Sequence, residues 1–260
     1  MMISIDLNSD LGESFGTWQI GMDEAIMPLV SSVNIATGWH AGDPMIMAKT
    51  VKAAGLQKLG IGAHPGFPDL MGFGRRNMAV TPEEAKAYVM YQVGALNAFV
   101  RAEGLTLQHV KPHGALYNMA AKDLKLALAI AEAVALIDSD LILMGLESSQ
   151  MEVAAKTLGI PFASEVFADR RYQEDGNLVP RSQLGAVIES EEEALKQVLQ
   201  MVLKGQAVTD TGKVIALKAD SLCVHGDNPH ALKFIEAIRA ALGKEGALIK
   251  ALRPFESAGE

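Results

Sequence analysis

Short apolar runs that end on an ionisable side chain and give way to a helical pattern recur along this chain, and they constrain its fold more than any other feature. The run Leu105, Leu107, Val110 leads into Lys111-Pro112-His113-Gly114, and a helical pattern follows. Pro112 biases Lys111 toward an extended conformation and cannot donate to a sheet ladder, so a strand should stop there. The same succession appears at residues 2–7 with Asp6 and Asp10, at 30–36 before His40, and at 59–63 before His64. It appears again at 161–166 with Glu165 and at 221–224 before His225. Six or seven strands alternating with helices imply a parallel sheet with right-handed crossovers. An open sheet concentrates polar groups at one switch point, whereas here nearly every strand exit carries one. That distribution indicates an α/β barrel with its site at the C-terminal rim.

Helix signals support this alternation. Asp43-Pro44 reads as an N-cap with proline at the first helical position, and Thr81-Pro82-Glu83-Glu84 and residues 190–193 read as capping boxes. Residues 122–135 and 148–158 are helical by periodicity, and Asn228-Pro229 caps a last helix. Glu174-Asp175-Gly176-Asn177 reads as a tight turn of a small hairpin over the site. Residues 6–13 after the first short strand read as a polar loop. No linker divides the 260 residues, so residues 1–260 are expected to form one catalytic barrel domain.

Charge and motifs narrow the function. A net charge of −8 argues against nucleic-acid or anionic-membrane partners, because both need basic surface. The single Cys223 excludes an intrachain disulfide framework, and the N-terminus lacks a basic and apolar leader, so a soluble cytoplasmic protein is expected. No phosphate loop, dinucleotide glycine motif, serine elbow or cysteine pair is present, and the chain shows no nucleotide site of its own.

Several exits carry chemistry. Asp6 and Asp10 repel each other unless a cation or a shared proton lies near, which favours a general base or a hard-metal site over loop capping; Glu13 is balanced between the two. His40 sits in a glycine-flanked loop with no stripe to explain it, whereas Asp43 is accounted for as a cap. His113 precedes a helix, where the neutral imidazole that can accept a proton is favoured. The segment Gly72 to Arg76 could hold an anion through backbone N–H groups and two guanidinium forks, the alternative being two solvated arginines, and Arg170 beside Asp169 could bind a carboxylate as readily as it forms a rim salt bridge. His109 alternates with Lys111 and reads as an interior polar residue.

The segments Asp6-Leu-Asn-Ser-Asp-Leu-Gly-Glu13, Asn34-Ile-Ala-Thr-Gly-Trp-His-Ala-Gly-Asp-Pro44, Gly62-Ala-His-Pro-Gly-Phe-Pro-Asp69, Gly72-Phe-Gly-Arg-Arg76, Val110-Lys-Pro-His-Gly-Ala-Leu-Tyr-Asn118, Glu165-Val-Phe-Ala-Asp-Arg170 and Cys223-Val-His-Gly-Asp227, taken in order, resemble the LamB/YcsF family. Two departures are Thr37, where that family usually has Cys, and Trp39 for the usual Phe. The first argues against a nucleophilic cysteine at that position. The resemblance implies a (β/α)7 barrel similar to the glycoside hydrolase/deacetylase superfamily. It implies ATP-coupled conversion of 5-oxo-L-proline to L-glutamate, with 5-oxoprolinase subunits B and C as partners. ATP, with Mg2+, is expected at the level of the complex, and no tightly bound metal is predicted.

The expected catalytic set is Asp6, Asp10, His40, Lys111, His113 and Glu165; the expected substrate-binding set is Asn8, His64, Arg75, Asp169, Arg170 and His225. Asp10 or His113 would take the proton of the attacking water, Lys111 would stabilise the oxyanion, and Arg170 or Arg75 would hold a carboxylate or phosphoryl group. Two other readings are a metal-dependent amidase or deacetylase acting alone, for which no His-x-x-x-His pair is present, and a non-catalytic component that only binds substrate. Metal binding stays open at this point.

Overall fold

A computed structural model of the chain describes residues 3–224 and 229–253. His225, Asp227 and the Asn228 cap therefore lie outside the described residues, as does the side chain of His230. The strands are β1 Ser4–Leu11, β2 Ser32–Ala36, β3 Gly60–His64, β4 Leu107–Val110, β5 Ile142–Leu146, β6 Phe162–Phe167, β7 Gln206–Val208, β8 Val214–Ala216, β9 Ser221–Cys223 and β10 Leu248–Ile249. Strands β1 to β6 and β9 run parallel, and β9 pairs with both β6 and β1, which closes a seven-stranded barrel. A closed barrel leaves no exposed ladder among these strands, and among the described residues only β10 extends it, pairing with β1. β7 and β8 form a separate antiparallel hairpin. The expected (β/α)7 barrel is thus the fold observed.

The helices are α1 Asp23–Ile26, α2 Pro44–Leu56, α3 Pro82–Ala102, α4 Gly114–Ala120, α5 Leu124–Ile137, α6 Gln150–Leu158, α7 Glu191–Lys204 and α8 Pro229–Lys244. Their starts follow the caps in the sequence. Asp43 accepts from the backbone N–H of Met45 and Ile46, Thr81 and Glu84 complete a reciprocal box, and Ser190 accepts from Glu193. Val89, Val93, Leu96 and Val100 of α3 form one buried stripe, whose i, i+4 spacing fits a helix laid on the barrel.

Strand β1 is longer than the sequence suggests. The expected polar loop from Asp6 is strand as far as Leu11, because the pleat sends alternate residues to opposite faces. Ile5, Leu7 and Leu11 join the apolar core, while Asp6, Asn8 and Asp10 find polar partners on other barrel strands. Two of those acids are therefore strand residues, with Asp6 well before the exit. Ile142, Met144 and Ala163 of β5 and β6 make a small apolar cluster apart from the main core. The turn at Glu174–Asn177 is present, with Gln173 N–H donating to Asn177 O at 2.7 Å and Tyr172 bridging to Leu178. The β7–β8 hairpin and β10 have no counterpart in the sequence reading. No helix among the described residues is long and apolar enough to cross a membrane.

Candidate active site at the carboxyl end of the barrel

The barrel interior is filled by polar side chains in successive layers. Deepest is Asp6, whose carboxylate accepts from Ser31 Oγ at 2.6 Å, Ser32 Oγ at 2.8 Å and Ser221 Oγ. Burial raises its pKa against the lowering effect of those hydroxyls. One pleat higher, Asn8 donates to Ser221 Oγ at 2.7 Å and accepts from Asn34 Nδ2 at 2.8 Å. Asn34 Oδ1 lies 2.7 Å from His109 Nε2, and burial, then Lys111 and His64, drive the His109 pKa down to about 3. His109 fits because residue 62 is glycine: a Cβ there would stand 2.0 Å from its Nε2.

Above this layer lies Lys111. Its Nζ is 3.0 Å from Asp10 Oδ1, 2.7 Å from Glu165 Oε1 and 3.3 Å from Asn8 Oδ1. Burial opposes the charge, but the Asp10 and Glu165 carboxylates outweigh it and hold the lysine pKa well above its usual value. Asp10 Oδ1 also accepts from Asn34 Nδ2 at 2.8 Å. Burial pushes the Cys223 thiol up, so it stays protonated beside the lysine, 3.3 Å away.

Three imidazoles meet beside Asp10. His64 ends β3, His40 comes from the loop after β2, and His113 precedes α4. The His40 and His113 rings stack at 3.7 Å with 4° between their planes, and His64 stands edge-on to both. His64 Nε2 lies 2.9 Å from His113 Nδ1 and 3.3 Å from Asp10 Oδ2. Glu13 Oε1 is 3.6 Å from His40 Nε2 and 3.8 Å from His113 Nδ1. Burial, then the neighbouring imidazoles, lower the pKa of both His40 and His113 well below the usual value. Gly74 allows this packing: its φ of +62° suits glycine, and a Cβ would fall 2.7 Å from both His113 Cδ2 and His40 Cβ. The ligating atoms of Glu13, His40, His64 and His113 lie within 4.8 Å of one another, a donor set that fits a metal ion.

A cavity of about 660 Å3 opens over these residues. Asp10, Glu13, His64, Lys111 and His113 form its floor, Tyr117, Phe167 and Leu178 its apolar walls, and Arg75, Arg170, Arg181 and Lys122 reach its lining. Arg170 is buried; it donates from Nη2 to Val179 O at 2.6 Å, and burial, then Arg181, bring its pKa to about 10. Arg75 is exposed and lies over the Phe73 ring at 5.0 Å.

Of the residues expected from sequence, Asp10, His64, Arg75, Lys111, His113 and Arg170 line the cavity. Asp6, Asn8, His40 and Glu165 are buried outside the lining, Asp169 lies outside it, and His225 is outside the described residues. Asn34, Tyr117, Phe167 and Arg181 were not singled out. A polar Asn34 inside an apolar run was a usable signal; Arg181 offered none. Thr37 serves packing: its hydroxyl donates to Gln92 Oε1 at 2.9 Å, and Trp39 packs on Tyr88 and Tyr91 of α3.

A closed parallel barrel with ionisable residues gathered at the carboxyl ends of its strands has the architecture of the α/β-barrel enzymes. Within that class, the chain belongs to the LamB/YcsF family, whose model matches residues 5–257. It is 59% identical over 244 residues to the A subunit of 5-oxoprolinase from Alkaliphilus metalliredigens, covering 94% of this chain and 95% of that relative. It is 55% identical over 251 residues to the corresponding 5-oxoprolinase chain of Bacillus subtilis, covering 96% and 98%. The crystal structure of a lactam utilization protein from Thermus thermophilus superposes with a TM-score of 0.90 at 46% identity, covering 96% of this chain and all of that one. A putative cellobiose-phosphate cleavage protein from Enterococcus faecalis, at 16% identity and a TM-score of 0.54, shares the fold.

Proposed function

We propose that this chain is the A subunit of an ATP-dependent 5-oxoprolinase, a hydrolase that opens the lactam C–N bond of 5-oxo-L-proline to give L-glutamate. It acts as one catalytic barrel domain, in the cytoplasm, with partner subunits B and C. The observation that carries this reading is the 59% identity to the A subunit of a 5-oxoprolinase over 94% of the chain. The cavity is chemically suited to it, with acids and a lysine on its floor and cations at its lining.

The lactam carbonyl is a resonance-stabilised amide and resists water. ATP, held with Mg2+ at the level of the complex, phosphorylates the amide oxygen and makes the carbon electrophilic. Water then adds, the ring nitrogen leaves with a proton, and the resulting acyl phosphate takes a second water to give glutamate and phosphate. Asp10 is the proton acceptor for the attacking water. Its Oδ1 is held by Lys111 and Asn34, which fixes the carboxylate at the cavity floor. The Lys111 ammonium stabilises negative charge developing on oxygen, and Glu165 and Asn8 hold it in place. Arg75 holds the substrate carboxylate or the phosphoryl group, while Arg170 steadies the 179–186 loop through its bonds to Val179 O and Ala186 O.

The test is glutamate formation by the chain assembled with its partners, ATP and 5-oxoproline. Asp10→Asn should lower turnover by about 10²-fold or more with the fold retained. Turnover within a few-fold of wild type would remove Asp10 from the chemistry. No ATP-dependent turnover by the wild-type assembly would overturn the functional reading.

A further inference from the structure

The histidine cluster contains two facing lone pairs that lactam chemistry does not explain. His64 Nδ1 is 2.7 Å from Lys111 O, and His113 Nε2 is 2.8 Å from Phe73 O. A carbonyl oxygen only accepts, so each of these nitrogens carries the hydrogen. The remaining nitrogen of each neutral ring is then an acceptor, and these two, His64 Nε2 and His113 Nδ1, face each other across 2.9 Å. Two lone pairs at that distance repel unless a positive centre lies against both.

Two more donors converge on the same place. His40 is fully buried, and neither of its ring nitrogens has a hydrogen-bond partner, a costly state for a buried polar group. Gly66 crowds the Nδ1 side, where a Cβ would lie 2.7 Å from that atom. The stack on His113 turns His40 Nε2 toward Glu13 Oε1, 3.6 Å away, and Glu13 Oε1 is 3.8 Å from His113 Nδ1. Ligands at roughly 2.0–2.2 Å in a tetrahedron stand about 3.3–3.6 Å apart. The four residues' ligating atoms lie within 4.8 Å of one another, and the parallel His40 and His113 rings turn out of their stack to aim their in-plane lone pairs at one cation.

We propose that Glu13, His40, His64 and His113 form a site for a divalent transition-metal cation of the zinc class, bound through Glu13 Oε1, His40 Nε2, His64 Nε2 and His113 Nδ1. Three neutral imidazoles and one carboxylate suit Zn2+, Fe2+, Co2+ or Ni2+; Mg2+ and Ca2+ take oxygen donors. The carbonyls of Lys111 and Phe73 fix the ring orientations from outside, the arrangement that metal-binding histidines generally show. The cation sits on the cavity floor, with Asp10 Oδ2 3.3 Å from one of its ligand atoms. This proposal is independent of the lactam reading.

The test uses the purified full-length chain, stripped with a chelator and titrated with Zn2+ by calorimetry and with Co2+ by visible absorption, without ATP or partner chains. One Zn2+ per chain, Co2+ bands of a four- or five-coordinate nitrogen-rich site, and no comparable uptake of Mg2+ are expected. His40→Ala and Glu13→Gln should each weaken binding by about 10-fold or more, with thermal unfolding run in parallel. If His40→Ala does not fold, the conservative Glu13→Gln variant still decides. Failure of the wild-type chain to bind stoichiometrically, or unchanged affinity in Glu13→Gln, would overturn the proposal and leave a proton between His64 and His113.

Discussion

Asp6 has only 2% of its surface exposed, and its carboxylate is held by the hydroxyls of Ser31, Ser32 and Ser221. Burial raises its pKa above the ordinary 3.8, the three hydroxyls oppose that, and Glu165 adds to it. With the folded value above the unfolded one, the native state binds the extra proton between them, so Asp6 favours folding fully below about pH 4. That contribution is lost as pH rises through the folded pKa, where a buried carboxylate must ionise. The Asp6→Asn variant cannot ionise, so its stability relative to wild type should improve from pH 4 upward, by up to about 1.4 kcal/mol per pH unit within the window. Denaturant unfolding of both proteins from pH 4 to 8 checks this, and parallel curves would show that Asp6 does not titrate there. The sequence showed that Asp6 and Asp10 need a cation or a proton between strand neighbours. Which acid receives which was not legible, because it depends on barrel register: Asp10 aligns with Asn34 and reaches Lys111, while Asp6 aligns with Ser221.

Helix α3 carries one polar residue inside its buried stripe, Gln92, and this residue ties three elements together. Gln92 Oε1 accepts from Thr37 Oγ1 and from Gly66 N–H, both at 2.9 Å, and Nε2 donates to Gly66 O and Tyr88 O. The amide thus fixes the loop that follows β3, and with it the position of Gly66 against His40. Gln92→Met keeps much of the volume and removes every one of these bonds. It leaves the Gly66 N–H and carbonyl unsatisfied, at about 1–3 kcal/mol for each that finds no water, while the Thr37 hydroxyl keeps its bond to His64 O at 3.2 Å. A loss of roughly 2–4 kcal/mol in denaturant unfolding is expected, with a lowered turnover in the assembled enzyme. Stability within about 0.5 kcal/mol of wild type would mean that the loop holds itself. Elements of this kind were legible to different degrees. The starts of α2, α3 and α7 were marked by Asp43, Thr81 and Ser190, because a cap is a local signal. The length of β1 was hidden, since Asp6, Asn8 and Asp10 look like loop until partners elsewhere in the barrel satisfy them. The β7–β8 hairpin was hidden too: each strand has three residues, and only Ala207 among them is buried. The meeting of His40, His64 and His113 has no spacing signature, because the three come from different loops and strand ends.

Across the whole barrel, the chain of charges Asp10, Lys111 and Glu165 links β1, the end of β4 and β6, no two of which are neighbours in the sheet. Lys111, with 3% of its side chain exposed, is the cation between the fully buried Glu165 carboxylate and the partly exposed Asp10 carboxylate of the cavity floor. Removing it therefore differs from removing either acid. Lys111→Met leaves the buried Glu165 carboxylate uncompensated, whereas Asp10 keeps Asn34 and His64 beside it, and should destabilise the protein by about 3–5 kcal/mol. Glu165→Gln keeps an acid for the lysine in Asp10 and should cost less. The pair is informative together: once Lys111 is gone, neutralising Glu165 removes the stranded buried charge. The double variant should then be more stable than Lys111→Met alone by roughly 1–2 kcal/mol, a coupling that separates charge from packing. Denaturant unfolding of the four proteins at pH 7 measures it. If the two substitutions simply add, the lysine is held by shape and by its contact with the Phe167 ring at 5.5 Å, and the carboxylates are spectators to folding.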